Sequence, residues 1–433
     1  MTRGYSKRFF KFLWFIGALF LDFYFPNKYI LSGIIIFFSV TLIKRVRKNS
    51  YLLILFGIIA YINFSTIVSE VLAWTTSLGE ETLGWQNDIR ESPYWLCGVQ
   101  SLIILLATLN LYVDEKMAAI PVKDYSLKIE NNPILFYFGY LLLWIIMLFF
   151  GYSSAAGSEY VSDTSSLYEY SLVICPIVWL YSNNDPVKKK ILLVYCLAYC
   201  IKSMLHGDRS SMVPMGVFIY FLYFANYKLR IKYVVIFAVV GVLISNIISV
   251  YRIFSFISIS DLSGEYIQKY GANMFTSDTV SQSYYTSVVT QLTHDKVENT
   301  FIYFFDFLLS IVFGGSYGEA DVNKVVLKFY TEKFGGFYYS WPYFWFGSIG
   351  VFLASCILGK VLRTAFTRVS SYTNVLKMIM VIFSFRWYLY TCFDFFRGVL
   401  FVTSVFYFTF YFANNGLRTK SINKNERNTK TIF

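Results

Sequence analysis

A chain of 433 residues that is 56% hydrophobic and only 15% charged lacks the polar surface that a soluble protein of this length requires. Its aromatic content of 21% suits both the interior and the interfaces of a lipid bilayer. The net charge of +12 tempts a nucleic-acid interpretation, but the basic residues are spread over many short connections between apolar segments. The composition therefore predicts an integral membrane protein without a nucleic-acid partner.

The apolar segments predict an all-α protein that crosses the bilayer about twelve times, because a helical span needs about 20 apolar residues. The first segment follows the basic residues within 3–11 and shows no small-residue cleavage site, so we interpret it as a retained anchor. The predicted spans are 9–26, 29–43, 51–72, 95–113, 133–151, 168–182, 191–206, 211–227, 233–250, 341–359, 374–390 and 399–414.

The basic residues also predict the orientation of the bundle. With the N-terminus in the cytoplasm, 26 of the 38 Lys and Arg residues fall in connections on the cytoplasmic side. Lys and Arg accumulate in the cytoplasmic connections of membrane proteins. An even number of spans returns the chain to its starting side, so both termini are predicted to be cytoplasmic.

Residues 251–340 form the longest predicted connection and lie on the outer side in this topology. The connection contains an apolar run, 301–313, which includes Asp306 and is short for a span, so we interpret it as a re-entrant or interfacial helix. Long connections are usually functional. The predicted organisation is nine spans in 1–250, the outer loop with short helices over the mouth of the bundle in 251–340, three spans in 341–414, and a basic, unstructured cytoplasmic tail in 415–433.

The six Cys and two His residues show no spacing typical of a disulfide framework or a metal site. Motifs of soluble enzymes, such as the P-loop and the zinc-binding HExxH pattern, do not occur in the sequence. The closest approach to an acidic metal-binding pair is Glu319-Ala320-Asp321, which also fits an ordinary solvated loop. We therefore expect neither a metal nor another cofactor.

Four arginines lie at or just below the outer surface in the predicted topology and are candidate ligands for a diphosphate. An arginine in an apolar segment usually faces a cavity or a partner, and its guanidinium grips phosphate oxygens bidentately. Local ion pairs with Asp208 and Asp394, or snorkelling to the interface, are the alternatives for three of them. The four residues are Arg209, Arg252, Arg386 and Arg397.

His294 lies in the long outer loop and is followed by Asp295. A neutral imidazole can take a proton from a sugar hydroxyl, and an adjacent carboxylate can tune it. A surface histidine without a chemical role is the alternative. We expect the second histidine, His206, to pack or to form a hydrogen bond at a helix end.

Between about residues 190 and 410, a set of short motifs stands at the ends of the predicted spans. The set comprises His206-Gly207-Asp208-Arg209-Ser210-Ser211, Tyr251-Arg252, Gly335-Gly336 ahead of Trp345-Phe346-Gly347-Ser348-Ile349-Gly350, then Arg386 and Phe396-Arg397-Gly398. This pattern resembles the Wzy-type O-antigen polymerases, which join oligosaccharide repeat units. One segment departs from the pattern, since Ser340-Trp341-Pro342 stands where an acidic residue is expected.

The resemblance implies a GT-C-like membrane glycosyltransferase in the inner (cytoplasmic) membrane of a bacterium. Its substrates would be glycan repeat units linked to undecaprenyl diphosphate, joined at the periplasmic face, with a chain-length regulator as a protein partner. A lipid diphosphate is a good leaving group, so the site needs positive charge more than a general acid. The candidate bases for the acceptor hydroxyl are then His294, Asp295 and Glu319.

Two other functions fit many of the same features. An O-antigen ligase also transfers a glycan from a lipid diphosphate and would share the arginines and the long loop with its histidine. A flippase or another transporter would more often show repeated halves, broken helices and polar residues at mid-membrane. The charged residues cluster at the outer ends and a single long loop breaks any symmetry, which disfavours the transporter.

Overall fold

The computed structural model describes residues 2–71, 95–119, 132–152, 165–206, 208–224, 229–236, 278–314, 317–330 and 335–430. In these ranges the regular secondary structure is helical, and no β-strand occurs. The predicted all-α class is therefore confirmed for the described part of the chain. The helices, in chain order, are α1 (Thr2–Tyr24), α2 (Lys28–Val46), α3 (Ser50–Thr66), α4 (Trp95–Tyr112), α5 (Glu115–Ala119), α6 (Pro133–Phe149), α7 (Ser166–Leu180), α8 (Pro186–Leu205), α9 (Arg209–Phe224), α10 (Asp278–His294), α11 (Ile302–Phe313), α12 (Val322–Val326), α13 (Ser340–Thr367), α14 (Ser371–Ile382), α15 (Ser384–Leu389) and α16 (Thr403–Lys430).

Two π-helical segments, Ile67–Val71 and Asp394–Val402, adjoin these helices. The chain divides into two compact units, and each unit gathers stretches that are far apart in sequence. Unit 1 comprises Met1–Asp124, Ala225–Val369 and Phe383–Phe396; unit 2 comprises Tyr125–Phe224, Ser370–Ile382 and Arg397–Phe433.

Unit 1 is organised around α4, which packs against α1, α2, α10 and α13. The α4 sequence is almost uninterrupted in its apolar residues, and its side chains from Leu102 to Leu109 are nearly all buried. The side chains of Asn27 and Asn49 accept backbone N–H groups at the starts of α2 and α3, where a helix leaves its first donors without internal acceptors. These caps fix where α2 and α3 begin.

Helix α10 is a polar helix that is nevertheless buried, against α3, α4, α12 and α13. Some of its hydroxyls donate to its own backbone: Ser287 donates to the Ser283 carbonyl at 2.7 Å, and Thr290 donates to the Thr286 carbonyl at 2.6 Å. The Ser287 oxygen also accepts the N–H of Phe337 at 2.7 Å. Part of the predicted outer loop is therefore an internal element of unit 1.

Unit 2 is organised around α7, which packs against α6, α8, α9, α14 and α16. Its buried residues cover the whole helix circumference from Ser171 to Leu180. Helices α6 and α8 begin with the same local signal, a capping side chain (Asn132 or Asp185) followed by proline at the first helical position.

Four helical segments are long and apolar enough to cross a membrane: Lys28–Val46, Trp95–Tyr112, Ser340–Thr367 and Asp394–Gly416. These and the shorter apolar helices indicate a membrane protein. Every predicted span coincides with a described helix or pair of helices except 233–250, most of which lies outside the described residues. The number of spans stays a prediction. The prediction of an unstructured tail is wrong for residues 415–430, which belong to α16.

Helix α13 is broken after its first turn and a half. Phe346 (φ −139°, ψ 17°) and Gly347 (φ 60°, ψ −150°) leave the helical region, and the second conformation is open essentially to glycine. Residues eight positions apart in a straight helix are separated by about 12 Å, but a Cβ on Gly350 would lie 2.0 Å from the Pro342 carbonyl oxygen. The chain therefore turns sharply, and 348–367 alone, at about 30 Å, is long enough to span.

The close packing of Gly335 against the Tyr390 backbone leads to a prediction about stability. A Cβ there would lie 2.0 Å from the Tyr390 carbonyl oxygen, and backbone atoms cannot move aside as a flexible side chain can. We expect Gly335→Ala to destabilise the protein by about 1–3 kcal/mol, as overpacking does. The measurement is the apparent melting temperature of the detergent-purified protein.

Gly33→Ala is the matched control, because no atom lies within 4 Å of a Cβ at Gly33 and alanine favours a helix by about 1 kcal/mol over glycine. Gly33→Ala should melt at or above the wild-type temperature. Equal melting temperatures for the two variants would contradict the packing at Gly335.

Candidate functional site

Arg386 lies on α15, within an apolar run of the sequence. It is only 8% exposed. Its Nε atom lies 3.5 Å from Oδ2 of Asp394, at the start of the π-helical segment. The two side chains are 10% and 24% exposed, so little water screens the pair. Unit 1 thus holds a predicted diphosphate ligand in a fixed, nearly dry position beside a carboxylate.

Arg397, in unit 2, is oriented by an aromatic residue of α7. Its Nε donates to the hydroxyl of Tyr170 at 2.6 Å, and its guanidinium carbon lies 6.0 Å from the centroid of the same ring. The sequence offered Asp394 as a local partner for Arg397, but Asp394 lies beside Arg386. Nothing in the sequence pointed to Tyr170.

The other two predicted arginines are less fully described. Arg252 lies outside the described residues, and for Arg209 the structure describes the backbone, at the first position of α9. The four arginines belong to different units: Arg252 and Arg386 to unit 1, Arg209 and Arg397 to unit 2. Their convergence on one diphosphate stays a prediction.

His294, the last residue of α10, is half-buried and hydrogen-bonded to the broken helix. Its Nδ1 lies 2.8 Å from the Phe344 carbonyl oxygen, which is freed from its helical acceptor role by the break at Phe346 and Gly347. A carbonyl oxygen can only accept, so Nδ1 carries the proton. In the neutral imidazole Nε2 is then the basic nitrogen.

Thr300 completes the attachment of the loop to the broken helix. Its hydroxyl donates to the Trp345 carbonyl at 3.2 Å, the second carbonyl at the break. Helix α11, which follows Thr300, packs its aromatic face on the same region, with the rings of Phe307 and Trp345 4.5 Å apart. Sequence reasoning missed Thr300, because no local pattern marks a residue that caps a helix 45 positions away.

Asp295 and Glu319, the two carboxylates proposed as alternative bases, are both exposed. Glu319 forms an ion pair with Lys328 at 3.8 Å, and its backbone N–H donates to Asp306 at 3.1 Å. Asp321 caps α12 by accepting the N–H of Asn323, and burial raises the pKa of its carboxyl group. Among the described residues no group of three His, Cys, Asp or Glu side chains could hold a metal.

The chain matches no protein-family model, no curated protein and no solved structure. The functional argument therefore rests on the residues and on their geometry.

Breaking the ion pair of Arg386 should cost more stability than breaking that of Glu319. Asp394→Asn removes the carboxylate beside a guanidinium that is 8% exposed, and we expect a loss of about 1.5–3 kcal/mol. Glu319→Gln breaks a pair whose side chains are 60% and 62% exposed, and we expect a loss below about 1 kcal/mol. Thermal melting in detergent measures both, and a larger effect of Glu319→Gln would contradict the burial argument.

Proposed function

We propose that this chain is a membrane glycosyltransferase that polymerises undecaprenyl-diphosphate-linked oligosaccharide repeat units into O-antigen or a related surface polysaccharide. The reaction transfers the growing glycan from its lipid diphosphate to a hydroxyl of the incoming unit. It takes place at the periplasmic face of a bacterial inner membrane, across which a GT-C-like bundle passes about twelve times with both termini in the cytoplasm. The resemblance in sequence and the distribution of charge support this proposal.

The arginines supply the electrostatic part of the reaction. The bond that breaks joins the sugar to the diphosphate, so negative charge develops on a phosphate oxygen in the transition state. Fixed cations in a site that excludes water stabilise such charge without having to reorganise. Arg386, nearly buried in an apolar segment, supports this role, together with Arg209, Arg252 and Arg397.

The observation that carries the proposal is the anchored imidazole of His294. Because Nδ1 donates to the Phe344 carbonyl, Nε2 is the basic nitrogen of the neutral ring. The same hydrogen bond fixes the orientation of the ring. An acceptor hydroxyl needs such a base as its oxygen attacks the sugar carbon. Asp295 and Glu319 are the alternative bases, and both are exposed carboxylates.

Loss of the gene should give a distinctive surface glycan. We expect lipid A-core capped by a single repeat unit, because units would still be exported and attached but not joined. Electrophoresis of the extracted lipopolysaccharide measures this outcome. Cells that attach no unit at all would point to a ligase or a flippase, and an unchanged ladder would contradict a role in polymerisation.

In cells that lack the gene, plasmid copies with Arg209→Ala, Arg252→Ala, Arg386→Ala or Arg397→Ala should each fail to restore long chains. The protein should remain in the membrane fraction, which immunoblotting checks. Arg363→Ala is the control, because Arg363 pairs with Asp114 on the predicted cytoplasmic side. Full-length polymer from all four variants would overturn the diphosphate role of the arginines.

A substitution at His294 can separate its structural role from its chemical role. His294→Asn keeps an N–H donor near the position of Nδ1 for the Phe344 carbonyl, but it removes Nε2. We expect the protein to melt normally and the rate of chain growth to fall by about 10²–10⁴, the usual contribution of a general base. Wild-type growth in this variant would transfer the base role to Asp295 or Glu319, whose amide variants are tested alongside.

A further inference from the structure

The C-terminal end of α4 is held by cations from two other helices of unit 1. Nζ of Lys11, on α1, donates to the Val113 carbonyl at 2.7 Å. Nη1 of Arg45, on α2, donates to the Asn110 carbonyl at 2.9 Å and to the Val113 carbonyl at 3.4 Å. Both side chains are half-buried. Carbonyls at the end of a helix lack internal donors and attract positive charge, so both cations have a structural role here.

The two cations lie close together. Both nitrogens reach the same Val113 oxygen, so they are at most about 6 Å apart, and at half-buried positions their repulsion is only partly screened. An ammonium has three N–H donors and a guanidinium has five. Within the described residues, Lys11 uses one donor and Arg45 uses those of Nη1. The pair therefore has positive charge and donors left for an anion.

The acidic residues next to this cationic pair are engaged elsewhere or exposed. Asp114 accepts the backbone N–H groups of Lys116 and Met117 on Oδ1, and its Oδ2 lies 3.8 Å from Nη2 of Arg363. Glu115 is exposed. Among the described residues, no ion pair includes either member of the cationic pair. The chain itself therefore compensates the charge of the pair only partly.

Further basic residues lie next to the cationic pair at the end of α2. Lys44, Arg47 and Lys48 are exposed and stand within one helical turn of Arg45 in the sequence. Such a cluster attracts a headgroup of net negative charge, whereas it repels the ammonium group of a zwitterionic headgroup. The charge around the pair thus fits an anionic lipid better than a neutral one.

An exposed pair of aromatic rings lies on one side of the cations. The rings of Trp14 and Phe37 have centroids 4.9 Å apart, and the two side chains are 56% and 42% exposed. Trp14 is three residues past Lys11, which is about 4.5 Å along α1, and Phe37 is eight residues before Arg45, which is about 12 Å along α2. The two helices run antiparallel across the short connection 25–27. Both rings therefore lie on the side of the cations that faces the interior of the bilayer in the predicted topology.

We propose that Lys11 and Arg45 bind the phosphate of an anionic phospholipid. Its acyl chains lie against the exposed rings of Trp14 and Phe37. The guanidinium grips phosphate oxygens with the donors that the α4 carbonyls leave, and the ammonium adds a second charge. In the predicted topology this lipid belongs to the cytoplasmic leaflet. The inference does not rest on the proposed function, because neither cation belongs to the diphosphate site.

Native mass spectrometry of the detergent-purified full-length protein tests this site, with phosphatidylglycerol and phosphatidylcholine of identical acyl chains as probes. We expect the wild type to bind phosphatidylglycerol about tenfold or more tightly than phosphatidylcholine, as charge-assisted hydrogen bonds predict. The double variant Lys11→Gln/Arg45→Gln keeps amide donors for the α4 carbonyls but removes both charges, and it should lose this preference. The matched control is Lys189→Gln/Lys190→Gln, which removes two charges near the start of α8 and should keep the preference.

A second pair of variants tests the contact with the acyl chains. Trp14→Ala/Phe37→Ala should weaken the binding of phosphatidylglycerol about two- to fivefold, because ring contacts along the chains are lost. Phe20→Ala/Phe23→Ala is the control, since it removes two exposed rings near the other end of α1 and should leave binding unchanged. Equal binding by the two double variants would overturn the placement of the chains.

The remaining outcomes decide whether the site is specific for an anionic lipid. Equal binding of the two lipids by the wild type would overturn the proposal, and so would an intact preference in the Lys11→Gln/Arg45→Gln variant. An equal loss in the α8 control would assign the preference to general surface charge and overturn it as well. Displacement of phosphatidylglycerol by sn-glycerol 3-phosphate at equal concentration would indicate a site for soluble phosphate instead.

The wild type offers a test that does not depend on the folding of any variant. High salt screens the charges of the pair, so the preference for phosphatidylglycerol should weaken as salt is raised. Thermal melting identifies variants that do not fold. A preference in the wild type that does not change with salt would overturn the role of the two cations.

Discussion

A backbone carbonyl that is withdrawn from water needs a donor within the protein, and this requirement organises unit 1 around the break in α13. The break frees the carbonyls of Phe344 and Trp345 from the helical pattern, and His294 and Thr300 supply the two missing donors. His294 is the last residue of α10, and Thr300 lies in the connection between α10 and α11. The same two hydrogen bonds that satisfy the broken helix therefore attach the predicted outer loop to a predicted span.

The burial of α10 follows from a related constraint. Burying a hydroxyl without a partner costs free energy, and Ser287, Thr290 and Thr293 avoid that cost by donating to carbonyls one turn earlier on the same helix. Ser287 does more, because its oxygen also accepts the Phe337 N–H next to the closely packed Gly335-Gly336 pair. Small residues and self-satisfied hydroxyls together allow a polar segment to become part of the interior.

How far the sequence predicts this structure depends on the range of each interaction. Apolar runs such as that in α4 signal a helix through their own composition, and caps such as Asn49 act within four residues. Short helices are predicted within 251–340, but the polar residues of α10 are typical of a solvated loop, so its bounds and its burial are not predicted. The pair of Arg386 and Asp394 was missed because helical spacing favours partners three or four residues apart, and these are eight apart in sequence.

The site residues show the same limit in a sharper form. The chemistry of its imidazole makes His294 a candidate base, yet its tautomer depends on Phe344, 50 positions later, which contributes only a backbone carbonyl. A carbonyl is present at every residue, so no side-chain pattern can reveal which one will be left free. The φ angle of Gly347 decides that, and glycine permits the angle without requiring it.

Both histidines end a helix by donating Nδ1–H to a carbonyl of a helical last turn, Lys202 for His206 and Phe344 for His294. Cationic or donor side chains near helix C-termini satisfy carbonyls that the helix itself cannot. The consequence for chemistry is that a bond made for the backbone also selects the nitrogen that remains for a ligand. In each unit, then, the direction of Nε2 is set by where a helix ends, so the positions of two potential proton donors or acceptors are determined by the fold before any substrate binds.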